Sequence, residues 1–292
     1  MNSVEVVRRM RPLLGTFAEV HAEGPGAAHA VDQAWRVIER AQRDWSVQDA
    51  SSELSRLNAT HGVCVPVHRH TLRLLRLACA LMRRSGGAFD ITVGGLLTEV
   101  GVLPEHGRNW LPRGHVDDIE IGRGWVRLHR PLRLTLDGVA KGFAVDLAVS
   151  ALQRAGAVAG WVNAGGDVRA FGDALVPMHR READGRLVPI GTLHQAALAT
   201  SMVRSQKNLK DEQPGPHARW PAHILAPDGQ APAPGVWTVL AKRAWRADAL
   251  TKVAAACPET GRVAVIRQLG GCLIEGAAIG AAQVVPLHRF SP

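Results

Sequence analysis

The stretch from Leu134 to Gly172, LTLDGVAKGFAVDLAVSALQRAGAVAGWVNAGGDVRAFG, constrains this chain more than any other. It reads as a strand, a tight turn at Gly138, a helix from Val139 to Ala155 stopped by Gly156, and a second strand running into Gly165-Gly166. A strand, a glycine and a helix in succession bring bare backbone amides and a positive helix end to one spot, which suits a phosphate group. Lys141 stands at that junction, and Asn163-Ala-Gly-Gly-Asp167 makes a second small-residue turn able to close over a ligand. The pattern predicts a nucleotide or flavin-phosphate site. The turns lack Gly-x-Gly-x-x-Gly and an acidic residue about twenty positions beyond it, which argues against a dinucleotide-dependent oxidoreductase.

A chain of 292 residues is long enough for one large domain or two modest ones. With no repeat, low-complexity tract or clear linker, one mixed unit over residues 1–292 is expected. The strongest apolar run, Leu72 to Met82, is interrupted by Arg76 and falls short of a membrane span. The opening residues lack the apolar core and cleavage site of a secretion signal, so a cytoplasmic location is expected. Cys64, Cys79, Cys257 and Cys272 are scattered without paired spacing, which fits reduced thiols rather than a zinc or redox motif. The formal charge of +9 comes mainly from dispersed arginines, among them Arg36, Arg40, Arg43, Arg73 and Arg76. Dispersal of this kind makes a solvated surface, and no nucleic-acid motif accompanies it, so no nucleic-acid partner is expected. A positive surface still steers an anionic dinucleotide inward.

Helical and strand signals alternate along the chain. Arg11 to Ala22 opens with a glycine turn and continues as a strand. Ala27 to Trp45 is helical, with Val31, Ala34, Ile38 and Ala41 on one face. Ser51 to Asn58 is a short helical turn, and Thr71 to Arg84 a second apolar helix stopped by Gly86-Gly87. Ile119 to Leu136 carries two or three strands, and further strands are expected at Val158–Val162, Val168–Phe171 and Val188–Thr192. Arg204 to Ala222 reads as an exposed loop, Asp248 to Cys257 as a helix stopped by Pro258, and Val263–Ile266 and Ala282–Val285 as the last strands.

With these residues in view, the chain resembles the ApbE family of FAD:protein FMN transferases. The likeness runs in order from about Pro12 to Pro258. It is carried by Pro12-Leu-Leu-Gly-Thr-Phe, by Trp45-Ser with Ser52-Glu-Leu-Ser-Arg-Leu-Asn58, and by Gly86-Gly-Ala-Phe-Asp-Ile-Thr-Val-Gly94. Gly138-Val-Ala-Lys-Gly-Phe-Ala-Val-Asp146 and Asn163-Ala-Gly-Gly-Asp167 form its centre, and Ala199-Thr-Ser201, His223-Ile-Leu225 and Ala247-Asp-Ala-Leu250 follow. The resemblance implies an α+β, ApbE-like (T-fold-like) fold: a mixed, largely antiparallel sheet core with flanking helices. It also implies transfer of FMN from FAD to a threonine or serine of an acceptor protein, with Mg²⁺ as the cation and AMP released. An alternative stays open: a relative that binds FAD as a carrier or sensor, or slowly hydrolyses it to FMN and AMP.

Splitting a pyrophosphate requires neutralised phosphate charge, an aligned hydroxyl and a base for its proton. By the resemblance, Ala88, Phe89, Asp90, Thr135, Lys141, Gly165, Gly166 and Leu225 contact the flavin nucleotide, and His223 is the base. Gly138 and Asp248 are implied as metal ligands; for the third place either Thr251 substitutes, waters fill in, or the charge of Lys252 replaces part of the ion. The family's usual third ligand lies four positions after the aspartate, where this chain has Lys252. Other departures are Ala226 at the aspartate of the His-x-x-Asp motif, Gln48 where an aromatic commonly stacks on the flavin, Met202 for a glycine, and Leu14 for a methionine.

Overall fold

Two glycine-bearing hairpins organise the main sheet of the computed structural model, which describes residues 4–104, 109–203, 224 and 232–274. Strands β1 (Val6–Leu13) and β2 (Thr16–Glu23) turn through Leu14 and Gly15, at φ 59° and 69°. Strands β6 (Ala159–Ala164) and β7 (Asp167–Phe171) turn through Gly165 and Gly166, at φ 61° and 99°. Two central residues at positive φ match the right-handed twist of the flanking strands. Glycine takes that conformation freely, whereas Leu14 takes it at a cost. Packing of Leu14 onto both large apolar clusters, and a 2.7 Å bond from its N–H to Gln42 Oε1, hold it there.

Strands β10 (Ala197–Val203), β11 (Gly235–Ala241) and β12 (Gly271–Ile274) complete a seven-stranded sheet in the order β1-β2-β6-β7-β10-β11-β12. Every neighbouring pair in it is antiparallel. A separate hairpin, β8 (Val176–Arg181) with β9 (Leu187–Leu193), adds Ile190 and Leu193 to an apolar cluster with Val168, Ala170 and Leu198.

Helices α1 (Ala27–Trp45), α5 (Ala140–Arg154) and α6 (Ala244–Ala256) pack side by side on this sheet. Alternation along β2 turns Ala18, Val20 and Ala22 onto Ala30, Val31, Ala34 and Ile38 of α1. The middle helix is apolar almost all round, because α1, α6 and the sheet enclose it; Phe143, Ala144, Val145, Ala148, Val149 and Leu152 are all buried. A second core lies under α2 (Glu53–Asn58), α3 (Arg69–Arg84), α4 (Gly94–Glu99) and a small sheet. That sheet contains β3 (Val65–Pro66), β4 (Ile119–Ile121) and β5 (Trp125–Leu128), in the order β3-β5-β4.

The expected α+β architecture with an antiparallel core and flanking helices is the one observed. Helix α1 has the expected bounds, and α2 starts as expected on a serine, Ser52 Oγ accepting from Ser55 N at 2.9 Å. Three local readings need correction. Val263–Ile266 lies within a helix, α7 (Arg262–Gln268), entered through Gly261 at φ 88°; a four-residue apolar run has no periodicity of its own to decide between the two. Leu134–Leu136 is extended without a partner strand, and the Asn58 amide takes that place by accepting from Leu134 N (2.8 Å) and donating to Leu134 O (2.9 Å). Helix α6 begins at Ala244, so Asp248 sits inside it rather than at its start. The expected loop over Arg204–Ala222 and strand over Ala282–Val285 lie outside the described residues. Among the described residues no helix is long and apolar enough to cross a membrane.

Helices α5 and α6 meet at Gly142. A Cβ there would lie 2.4 Å from the Ala244 carbonyl oxygen and 2.8 Å from Asp248 Cβ. Replacing Gly142 by alanine is therefore expected to cost about 2–3 kcal/mol in urea unfolding, since backbone has to move. Gly138→Ala should cost less, because its nearest neighbour is the Phe89 ring edge at 3.3 Å. Equal losses at the two sites would contradict this account of the helix contact.

Candidate active site

Neither α5 nor α6 carries a side-chain cap from its own N-cap residue. Each is served by the other. Asp248 Oδ2 on α6 accepts from Gly142 N in the first turn of α5, at 3.0 Å. Asp146 Oδ2 on α5 accepts from Trp245 N in the first turn of α6, also at 3.0 Å. Carboxylates at these places satisfy orphan amides and complement the positive helix ends. The other oxygen of Asp146 holds Arg169 of β7 at 2.7 Å, which ties both helices to the sheet.

Four charged side chains gather beside this junction. Asp248 is fully buried and its Oδ1 accepts from Lys252 Nζ, one turn further along α6. Lys141 Nζ, on a side chain 33% exposed, lies 3.8 Å from Asp167 Oδ2 at the start of β7. Burial foremost, then the neighbouring Asp248 carboxylate, pushes the Asp167 carboxyl up to about 8. Burial also acts to raise Asp248, but Lys252, Lys141 and the Gly142 N–H together outweigh it and hold that carboxyl below its ordinary value. The Lys141 ammonium is held above its ordinary value, chiefly by Asp248 and against burial. Burial beside Asp248 thus favours the neutral form of Asp167, and the two lysines face one carboxylate that is held ionised. A partly exposed lysine beside a glycine turn and a helix start is a place for an anion.

Around this cluster the fold assembles segments that are far apart in the chain. The place a Gly138 Cβ would occupy is 3.3 Å from Phe89 Cε2 and 3.6 Å from Lys252 Cγ. At Gly165 the neighbour would be Thr16 Oγ1, at 2.8 Å, so the opening Gly-Thr strand abuts the Gly165-Gly166 turn. Gly166 N donates to Asn163 Oδ1 at 3.0 Å, closing that turn. Ser201 of β10 reaches Thr251 Oγ1 at 2.7 Å. The expected positions at Phe89, Gly138, Lys141 and Asp248 are therefore linked by contacts, and Gly165-Gly166 joins them through Asp167.

Other expected positions have local roles. Asp90 Oδ1 accepts from Thr92 N (2.7 Å) and Thr92 Oγ1 (2.6 Å), and its Oδ2 lies 3.4 Å from Arg113 Nε, a turn-type arrangement. Ala88 and Phe89 are buried in the second core. Thr135 is 93% buried, and its hydroxyl has no hydrogen-bond partner among the described residues. A buried hydroxyl left in this state is costly unless a ligand or water completes it. His223 and Leu225 lie outside the described residues; Ile224 between them is buried with Val203 and Ala255.

The residues expected to hold Mg²⁺ do not fit that role as placed. Both Asp248 oxygens are engaged, one by the Lys252 ammonium and one by the Gly142 amide. Thr251 is fully buried, and its hydroxyl is shared between Ser201 Oγ and the Asp248 carbonyl, each at 2.7 Å. Among the described residues no cluster of three or more His, Cys, Asp or Glu side chains is arranged for a metal ion.

Two residues of a nearby stretch escaped sequence reasoning. Arg133 is 98% buried, donates to Thr98 Oγ1 (2.6 Å) and Pro104 O (2.8 Å), and stacks 4.6 Å over the Trp110 ring. With Gln48, Ser55 and Asn58 these two line a cavity of about 330 Å³. The separation of Trp110 and Gln48 along the chain hides their proximity.

Residues 14–274 match the family model described as the ApbE family. A Rhodobacter capsulatus protein named FAD:protein FMN transferase is 34% identical over 181 residues, covering 55% of this chain and 34% of that protein. A protein of the same name from Vibrio cholerae serotype O1 is 28% identical over 184 residues, covering 58% of this chain and 55% of that one. The matched stretch thus spans about a third and about half of the length of these curated relatives. Among solved structures, a flavin transferase ApbE from Vibrio cholerae superposes with a TM-score of 0.74 at 24% identity, covering 91% of each chain. The apo form of a Pseudomonas stutzeri flavinyl transferase ApbE gives 0.75 at 21%, covering 94% of each.

Removing Asp146 should strand the buried Arg169 guanidinium and uncap α6. We expect Asp146→Ala to lose about 3–5 kcal/mol in chemical denaturation. Pairing it with Arg169→Met should recover part of the loss; strictly additive losses would show that the pair does not interact as described.

Proposed function

Since the chain belongs to the ApbE family, we propose that it transfers FMN from FAD to a threonine or serine of an acceptor protein and releases AMP. The observation that carries this reading is the gathering of Lys141, Lys252, Asp248 and Asp167 beside the Gly138–Gly142 turn. It supplies fixed charge where a pyrophosphate is to be gripped and split.

In the reaction, the acceptor hydroxyl oxygen bonds to the FMN phosphorus while the bridging P–O bond breaks toward AMP. The hydroxyl proton leaves to a base, a role we assign to His223, imidazole being the usual side chain for general-base work. Lys141 steadies the phosphate oxygens as a point charge. The orphaned Thr135 hydroxyl is assigned a ligand hydrogen bond, and Gly165 and Gly166 a close backbone approach. Ala88, Phe89, Asp90 and Leu225 are assigned to the wall that receives the nucleotide. Mg²⁺, the cation implied by the resemblance, finds both Asp248 oxygens and the Thr251 hydroxyl already engaged, so no step is routed through it.

Incubation with FAD and a peptide bearing the target threonine should yield peptide with covalently bound flavin and an equal amount of AMP. AMP without labelled peptide would mean hydrolysis, and neither product would sink the transferase reading. Lys141→Met should weaken FAD binding by about tenfold or more, measured by calorimetry.

The cluster also sets a pH dependence. Ionisation of Asp167 near its raised value of about 8 adds a negative charge beside the phosphates. FAD affinity should therefore fall as pH rises from neutral to about pH 9, a range in which the FAD pyrophosphate itself stays fully ionised. Asp167→Asn, which keeps the uncharged shape, should flatten that fall. An equal decline in both proteins would assign the effect to another group.

A further inference from the structure

We propose that the Lys252 ammonium is the built-in cation of this site, so that the chain grips a nucleotide pyrophosphate without a divalent metal. The proposal rests on the FAD reading for the identity of the anion, and on the side-chain placement for the rest. Lys252 lies one helical turn after Asp248, whose carboxylate is fully buried. Its stem passes Gly138, with Cγ and Cε at 3.6 and 3.7 Å from the place a glycine Cβ would occupy. The side chain is 17% exposed, so it is not sealed in the closed core.

The ammonium is already positioned by Asp248 Oδ1, its one hydrogen-bond partner among the described residues. An ammonium carries three donors, so two remain for an incoming phosphate oxygen. The remaining carboxylate oxygen is held by Gly142 N at 3.0 Å, which fixes the carboxylate plane and therefore the lysine tip. Thr251 cannot turn outward as an oxygen ligand without giving up both Ser201 Oγ and the Asp248 carbonyl. A divalent ion at Asp248 would have to displace a like charge that is tethered to the same helix. The lysine thus does two of the ion's tasks, neutralising Asp248 and offering positive charge to phosphate, and it does them without leaving the protein.

The test uses two probes on the intact chain. Mn²⁺ alone, followed by electron paramagnetic resonance, reports the metal site without any nucleotide. The wild type should leave Mn²⁺ free, whereas Lys252→Thr, with a hydroxyl in place of the charge, should bind one ion per chain. FAD titrated by calorimetry in EDTA and in Mg²⁺ should bind the wild type with affinities within about twofold of each other. Lys252→Thr should lose about tenfold or more in EDTA and regain it with Mg²⁺. Lys252→Met, which keeps the stem and removes the charge, should show the EDTA loss without rescue and guards against misfolding of the threonine variant. One Mn²⁺ bound per wild-type chain, or FAD bound about tenfold more tightly with Mg²⁺ than with EDTA, would overturn the proposal. Failure of every protein to bind FAD would instead overturn the FAD reading, and the Mn²⁺ result would still decide whether lysine has replaced the ion.

Discussion

The reciprocal capping of α5 and α6 is the interaction on which the rest of the structure depends. Asp248 reaches across to the first turn of α5, and Asp146 reaches back to the first turn of α6. Two carboxylates can be buried this deeply only because each finds amides and a cation: Gly142 and Lys252 for one, Trp245 and Arg169 for the other. Gly142 permits the close approach, since any side chain there would strike the Ala244 backbone. Structural and functional demands meet at this point. The same carboxylate that caps one helix orders the lysine beside the Gly138 turn.

Electrostatics decide what the cluster receives. Two lysines facing two aspartates would be neutral if every group were ionised. Burial of Asp167 beside Asp248 raises the first carboxyl, because two adjacent carboxylates in a dry setting are not both ionised. The balance at the cluster is thereby tipped toward positive charge, beside a glycine turn and a helix start. Such a site discriminates by charge before it discriminates by shape. A separate cavity lined by Gln48, Trp110 and Arg133 places an aromatic ring near Gln48 in a chain that lacks tyrosine altogether.

Much of the helical framework was legible from periodicity, as the bounds of α1 show. Strands were harder. The strand β1 escaped because its arginines break the apolar alternation; at the sheet edge they instead pair with Glu19, Asp32 and Glu39. Strand β10 escaped for a different reason: Ala197, Leu198 and Ala199 are buried in succession, so no alternation marks it. The reading of Val263–Ile266 as a strand failed because helix and strand present the same four-residue apolar run, and only Gly261 and the packing of Ile266 decide between them.

The amino-acid sequence alone determined the ordered motifs, the glycine turns, the amphipathic helices and the substitution of Lys252 at a position where a neutral oxygen was expected. Those are properties of residue type and spacing, which survive without coordinates. Only the tertiary structure decided that Lys252 engages Asp248, that Thr251 faces Ser201, that Asp146 serves as a helix cap, and that Asp167 joins the lysines. Each of these depends on which atoms fill the remaining valences of a buried carboxylate or hydroxyl. Spacing along a chain carries no information on that, because the partners come from β7, β10, α5 and α6 and meet only when the sheet closes against its helices.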